Sequence, residues 1–251
     1  MAGSRERFSL KGRTALVTGG GSGIGRAIAQ GLSDAGADII LVGRREAPLR
    51  EALESRTGSV IPVDLAAPAG IEKLTNQLRM ADLAPDILVN AAGVNLRQPA
   101  ADITPDSWDQ TLTINLKIPF FLSQALVGDM ASRGWGRILN IASLQSERAF
   151  ENGLAYGASK GGVAQLTRAM AETWSGSGIN ANAIAPGFFP TDLTSAVFGD
   201  KERAEKLANQ TAIGRNGELD DLVGPAVFLA SPASDYVTGQ VLYVDGGFTA
   251  K

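Results

Sequence analysis

The chain contains no histidine and no cysteine. Without histidine there is no Ser-His-Asp triad. Without either residue the usual zinc sites are gone, leaving only hard, oxygen-ligated ions, so no metal is expected. Absent cysteine also removes disulfides and thiolate catalysis. No apolar run approaches the ~20 residues of a membrane helix. The opening MAGSRERFSLKG lacks the apolar stretch of a secretory signal. Excess positive charge is missing too: a net charge of -3 and a pI near 5.1 leave no basic footprint for nucleic acid. These absences point to a cytoplasmic protein with a small-molecule substrate and neither nucleic-acid nor membrane partners. Tyr, Lys, Ser, Asn and carboxylates remain for chemistry.

What is present suits a substantial core, with 44% hydrophobic residues in 251. Short apolar runs recur at 13–19, 37–43, 59–65, 85–93, 136–143, 178–187 and 239–247. Between them lie helical patterns, such as PAGIEKLTNQLRMA (68–81) and the segment 154–175. Continuous apolar strands alternating with helices indicate a parallel sheet covered on both faces. The expected fold is α/β, a single doubly wound (Rossmann) domain over 1–251 with about seven parallel strands. The one long excursion, 188–210, reads as two short helices in a loop placed to serve as a substrate lid.

VTGGGSGIG (17–25) joins the first strand to the first helix. Such a turn lets the backbone approach a pyrophosphate while the helix N-terminus offers N–H donors. The glycines do not follow the strict G-x-G-x-x-G register; Gly19, Gly23 and Gly25 read G-x-x-x-G-x-G. Where an NAD site usually carries Asp or Glu, the second strand ends in Gly43, then Arg44 and Arg45. Two guanidiniums would attract the 2′-phosphate of NADP, which is favoured, with NAD possible. The alternative is that both are solvated residues entering the next helix.

LAYGASKGG (154–162) sets Tyr156 and Lys160 four apart, hence on one helix face. An ammonium beside a phenol favours the phenolate and lowers its pKa toward the range useful for proton transfer. An isolated Y-x-x-x-K more often means a tyrosine and a solvated lysine. Here the pair follows NIASLQS (140–146), where a strand ends in Ser143. Ligands of doubly wound sheets bind beyond the strands' carboxyl ends, so Ser143 and Tyr156 can face one carbonyl oxygen. Arg97, Gln145 and Arg148 fall on loops expected at the same edge, where an arginine could clamp a substrate carboxylate. Surface charge is the competing reading for Arg97 and Arg148.

Together, TGGGSGIG (18–25), NAAG (90–93), Asn115 within TINLK, Ser143, YGASK (156–160), PG (186–187) and VDGG (244–247) resemble the short-chain dehydrogenases/reductases across nearly the whole chain. Ala91 stands where that family usually has a second Asn. The resemblance implies reversible hydride transfer between a nicotinamide and a substrate carbon, with Tyr156 as acid/base. Lys160 would lower its pKa and hold the nicotinamide ribose, and Ser143 would polarise the substrate oxygen. Asn115 would fix a water linking Lys160 to solvent. Gly19, Ser22, Gly23, Ile24 and Gly25 would form the phosphate turn. Asp64 and Leu65 would meet the adenine, and Asn90 and Gly93 would line the cofactor floor. Pro186, Gly187 and Thr191 would position the carboxamide. A homotetramer is also implied. Segments including NLRQP (95–99) and NIASLQSER (140–148) resemble the branch acting on keto-sugar acids such as 5-keto-gluconate. A 3-oxoacyl-thioester reductase, a generalist carbonyl reductase and a catalytically silent dinucleotide-binding protein are the alternatives.

Overall fold

A computed structural model describes residues 3–251, with the side chains of residues 4 and 5 left aside. Seven strands form one sheet: β1 (Thr14–Thr18), β2 (Asp38–Gly43), β3 (Gly58–Pro62), β4 (Ile87–Asn90), β5 (Gly136–Ile141), β6 (Ile179–Pro186) and β7 (Val241–Val244). The principal helices of the first half are α1 (Ser4–Arg7), α2 (Gly23–Asp34), α3 (Glu46–Leu53), α4 (Gly70–Met80) and α5 (Pro105–Leu112). The second half carries α6 (Ile118–Ser132), α7 (Leu154–Trp174), α8 (Ser195–Phe198), α9 (Lys201–Ala208) and α10 (Val223–Ala230). Every strand pairing is parallel, in the order β3-β2-β1-β4-β5-β6-β7. The expected doubly wound α/β fold is the one observed.

The strand sequences divide by period two between the faces, as a sheet buried on both sides requires. Ala15, Val17, Ile39, Leu41, Ile87 and Val89 join one core with residues of α2, α3 and α10. Their neighbours Leu16, Ile40, Val42 and Leu88 join the other, with residues of α4, α6 and α7. Register aligns the carboxyl ends: Thr18 sits opposite Val42 and Asn90, Asn90 opposite Asn140, Ile141 opposite Ile184, and Pro186 opposite Val244. The loops leaving these ends therefore open on one edge.

The excursion after β6 contains a short turn at Asp192–Thr194 and then α8 and α9, as the sequence predicts. The C-terminal segment fixes its base. Phe248 is buried against Phe150 and Phe188 at ring separations of 6.0 and 5.7 Å. The Ala212 N–H donates to Gly246 O at 2.7 Å, and Lys251 Nζ donates to Thr211 O at 2.9 Å. Among the described residues, no helix is long and apolar enough to cross a membrane.

Removing the Phe248 ring leaves a cavity beneath this loop. Phe248→Ala should cost about 3 kcal/mol in urea unfolding and expose residues 188–210 to proteolysis. Unchanged stability would show that the tail does not hold the loop.

Candidate active site

A cleft of about 580 Å³ runs along the carboxyl edge of the sheet. At one end is the β1–α2 turn. Gly19 has φ +67°, and a Cβ there would stand 2.9 Å from Ala92 Cα. A Cβ on Gly25 would meet Gly19 O at 2.4 Å, so this turn tolerates glycine alone. Ser22 precedes α2 in extended backbone and makes no side-chain cap, which leaves the first-turn N–H groups without a side-chain acceptor. Thr18 Oγ1 accepts the Ala91 and Ala92 N–H groups, each at 3.1 Å, and thereby ties the turn to the end of β4.

Gly19, Ser22, Gly23, Ile24, Gly25, Arg44, Asp64, Leu65, Gly93, Pro186, Gly187 and Thr191 all line this cleft, together with Ser143, Tyr156 and Lys160. Arg44 and Asp64 are exposed at its rim, Asp64 accepting the Ala66 N–H at 2.9 Å. Val42, Val63 and Ile114 also line it and were not expected, and Phe189 lines it too. Val63 directly precedes the expected Asp64, and Val42 lies two residues before the expected Arg44.

Several expected residues lie elsewhere. Arg45 is the exposed residue preceding α3, off the cleft wall. Asn90 turns inward, donating to Asn140 Oδ1 at 2.9 Å, so it braces β4 against β5 rather than lining a floor. Gln145 points its Oε1 into a buried position beside Gly153, and only its backbone serves the cleft. Arg148 is exposed and donates to Lys251 O at 3.4 Å. Asn115 sits behind the wall in a π-helical turn, Thr113–Lys117. Its amide exchanges two bonds with the Val94 backbone, each 2.9 Å, and donates to Ser159 Oγ at 3.0 Å. A Cβ on Gly93 would stand 3.3 Å from Asn115 Oδ1 and 3.8 Å from Lys160 Nζ, so Gly93 lets these side chains share one corner.

At the cleft's centre, Ser143 Oγ accepts the Gln145 N–H at 3.1 Å. That bond occupies a lone pair and leaves the hydroxyl proton free to donate. Ser143 and Tyr156 both line the cleft, and the Ser143 hydroxyl favours the Tyr156 phenolate. Lys160 is buried, lies 5.6 Å from the Tyr156 ring centroid, and donates to Ile141 O at 2.6 Å.

The electrostatics correct one expectation. Burial pushes the Tyr156 phenol above its ordinary range, opposed first by the Ser143 hydrogen bond and then by the charge of Arg97. Lys160 is not the group that draws it down. Its own ammonium is desolvated and pushed down to about 8. Arg97 shares an adjoining small pocket with Tyr156, and its Nε is buried without a partner. The arrangement presents two hydroxyls to one cleft atom, a buried cation behind them and a guanidinium alongside.

A family model described as enoyl-(acyl carrier protein) reductase matches residues 19–249. The chain is 43% identical to the 2-dehydro-3-deoxy-D-gluconate 5-dehydrogenase of Bacillus subtilis (strain 168), over 98% of each protein. It is 40% identical to the gluconate 5-dehydrogenase of Gluconobacter oxydans (strain 621H), over 97% of each. Among solved structures, the gluconate 5-dehydrogenase of Burkholderia cenocepacia J2315, in complex with NADP and tartrate, matches with a TM-score of 0.94. That match is at 40% identity and covers 99% of this chain and 100% of that one.

Loss of the Ser143 hydroxyl removes the strongest influence opposing burial at Tyr156. In Ser143→Ala the Tyr156 titration, read as tyrosinate absorbance against a Tyr156→Phe reference, should move to higher pH. A midpoint that stays in place would show that the two hydroxyls are not coupled.

Proposed function

The chain belongs to the short-chain dehydrogenase/reductase family, and from that premise we propose that it is an NADP-preferring oxidoreductase. It interconverts the ketone and secondary alcohol of a keto-sugar acid such as 5-keto-gluconate. The observation that carries this reading is the Ser143–Tyr156 hydroxyl pair on the cleft, with the unpaired, half-buried Arg97 guanidinium beside it. The names of the relatives point to the same substrate class.

The residues present fit the cofactor. The turn at Gly19 and Gly25 has no room for side chains but admits a pyrophosphate against the α2 N-terminus. Arg44, which forms no ion pair among the described residues, would take the 2′-phosphate. Asp64 and Leu65 would hold the adenine, and Pro186, Gly187 and Thr191 the carboxamide. NADP, when bound, supplies or accepts the hydride.

In the reductive direction Tyr156 donates its proton to the carbonyl oxygen as negative charge develops there. Its raised pKa keeps the phenol protonated and ready to donate at neutral pH. Ser143 donates a second hydrogen bond to the same oxygen. Lys160 holds the ribose, while Asn115 positions the wall behind it. Arg97 lowers the cost of the phenolate and binds the acid end of the substrate. A 3-oxoacyl substrate would want an apolar wall where this guanidinium stands. A cytoplasmic location suits a reaction that draws on soluble NADPH. Exposed Trp108, Phe121 and Leu154 on α5, α6 and α7 support assembly into a homotetramer.

Tyr156→Phe should lower kcat by about 10³-fold or more while NADPH binding is retained; a fully active variant would remove the mechanism. Arg44→Ala should reduce the preference for NADPH over NADH on the order of tenfold. Reductive kcat/KM should fall with an apparent pKa near 8 as Lys160 loses its charge. A profile flat between about pH 6 and 10 would contradict that role.

A further inference from the structure

The loop that carries Arg97 is anchored at the cleft wall. Asn115 accepts the Val94 N–H and donates to Val94 O, each at 2.9 Å. The same amide donates to Ser159 Oγ at 3.0 Å, and Ser159 Oγ donates to Tyr156 O at 2.7 Å. One buried asparagine therefore sets the start of this loop in register with the helical turn that carries Tyr156. Arg97 lies three residues beyond Val94, so the turn between them decides where its side chain goes.

That turn is strained. Arg97 is held at φ +50°, in the left-handed region that non-glycine residues rarely adopt and that persists only where neighbours hold it. The Asn95 side chain supplies the hold. Its Oδ1 accepts the Arg97 N–H at 3.3 Å, closing the ring that asparagine side chains form with the backbone two residues on. Among the described residues, no backbone carbonyl takes the Arg97 N–H, so Asn95 is its one partner. The turn delivers Arg97 to a small pocket whose wall it shares with Asn95, Thr111, Asn152 and Tyr156. There its Nε is buried without a hydrogen-bond partner. Among the described residues, no carboxylate pairs with it. A guanidinium in that state keeps its donors for a ligand.

We propose that Asn95 is a positioning residue for substrate recognition: by holding Arg97 in the left-handed turn, it aims the guanidinium at the carboxylate of the keto-sugar acid. Ser143 and Tyr156 meanwhile take the ketone. The inference rests on the oxidoreductase reading above and assigns the residue that makes Arg97 a preorganised anchor. Without the Asn95 acceptor, Arg97 relaxes toward negative φ, its side chain leaves the pocket wall, and the ordering must be supplied on binding.

The test uses 5-keto-D-gluconate and the neutral 5-keto-D-fructose. Wild type is compared with Asn95→Ala, Asn95→Ser, Arg97→Gln and the double variant of Asn95→Ala with Arg97→Gln, a thermal melt showing each to be folded. Asn95→Ala should raise KM for the acid about 3- to 10-fold, the size of one lost hydrogen bond, with kcat and NADPH affinity within about twofold. The neutral ketone's kcat/KM should not change. Asn95→Ser, whose hydroxyl can accept the same N–H, should recover part of the loss. Because Asn95 acts through Arg97, the double variant should be no worse than Arg97→Gln alone. Losses that multiply in the double variant overturn action through Arg97. Equal losses on both ketones overturn carboxylate recognition. An unchanged KM for the acid in Asn95→Ala, with wild type active, overturns the role of Asn95 and leaves the oxidoreductase reading standing. A wild type that turns over no keto-sugar acid removes the reading and this inference with it.

Discussion

Beside β1 the strand order reverses: the chain runs from β1 outward to β2 and β3, then crosses back to place β4 on β1's other side. The loops leaving β1 and β4 must diverge there, and a crevice opens between them at the carboxyl edge. The rest of the site depends on that constraint. The turn after β1 reaches one side, and Thr18 Oγ1, bonded to the Ala91 and Ala92 N–H groups, fixes the crevice's inner corner. Ser143, just past β5, and α7 complete the wall on the far side. Parallel register brings the strand ends to a common level, so residues distant in sequence face one volume.

Within that volume, burial sets the chemistry. A phenol and an ammonium are both taken out of water, and both are pushed toward their neutral forms. For Tyr156 this means a proton held until negative charge appears on a neighbouring oxygen. For Lys160 it means a cation that titrates near 8 and is anchored to Ile141 O, the last carbonyl of β5. The neighbouring Ser143 hydroxyl tempers the phenol, and Arg97 does so by charge. The backbone N–H of Gln145 orients Ser143 in turn.

Much of this was legible in the sequence because it is local. All seven strands were visible as apolar runs, and the glycine turn and the Tyr156–Lys160 spacing needed only short segments. Ser143 could be placed because a strand end is a position along the chain. Side-chain direction was not legible. Asn90 and Gln145 were placed at the right edge, yet each turns its amide into protein rather than toward the cleft. The Lys160 influence on Tyr156 was overstated because spacing on a helix says nothing of the β5 carbonyl that claims the ammonium.

The measurement that bears most directly on the account is the loss of reduced-nicotinamide absorbance. Purified wild-type protein would be mixed with NADPH or NADH and a panel containing 5-keto-D-gluconate, the 5-keto form of 3-deoxy-2-keto-gluconate and a 3-oxoacyl thioester. Faster oxidation of NADPH than NADH, with a keto-sugar acid as the preferred substrate, is the predicted result. Preference for the thioester, or no turnover of any member despite cofactor binding, would contradict it.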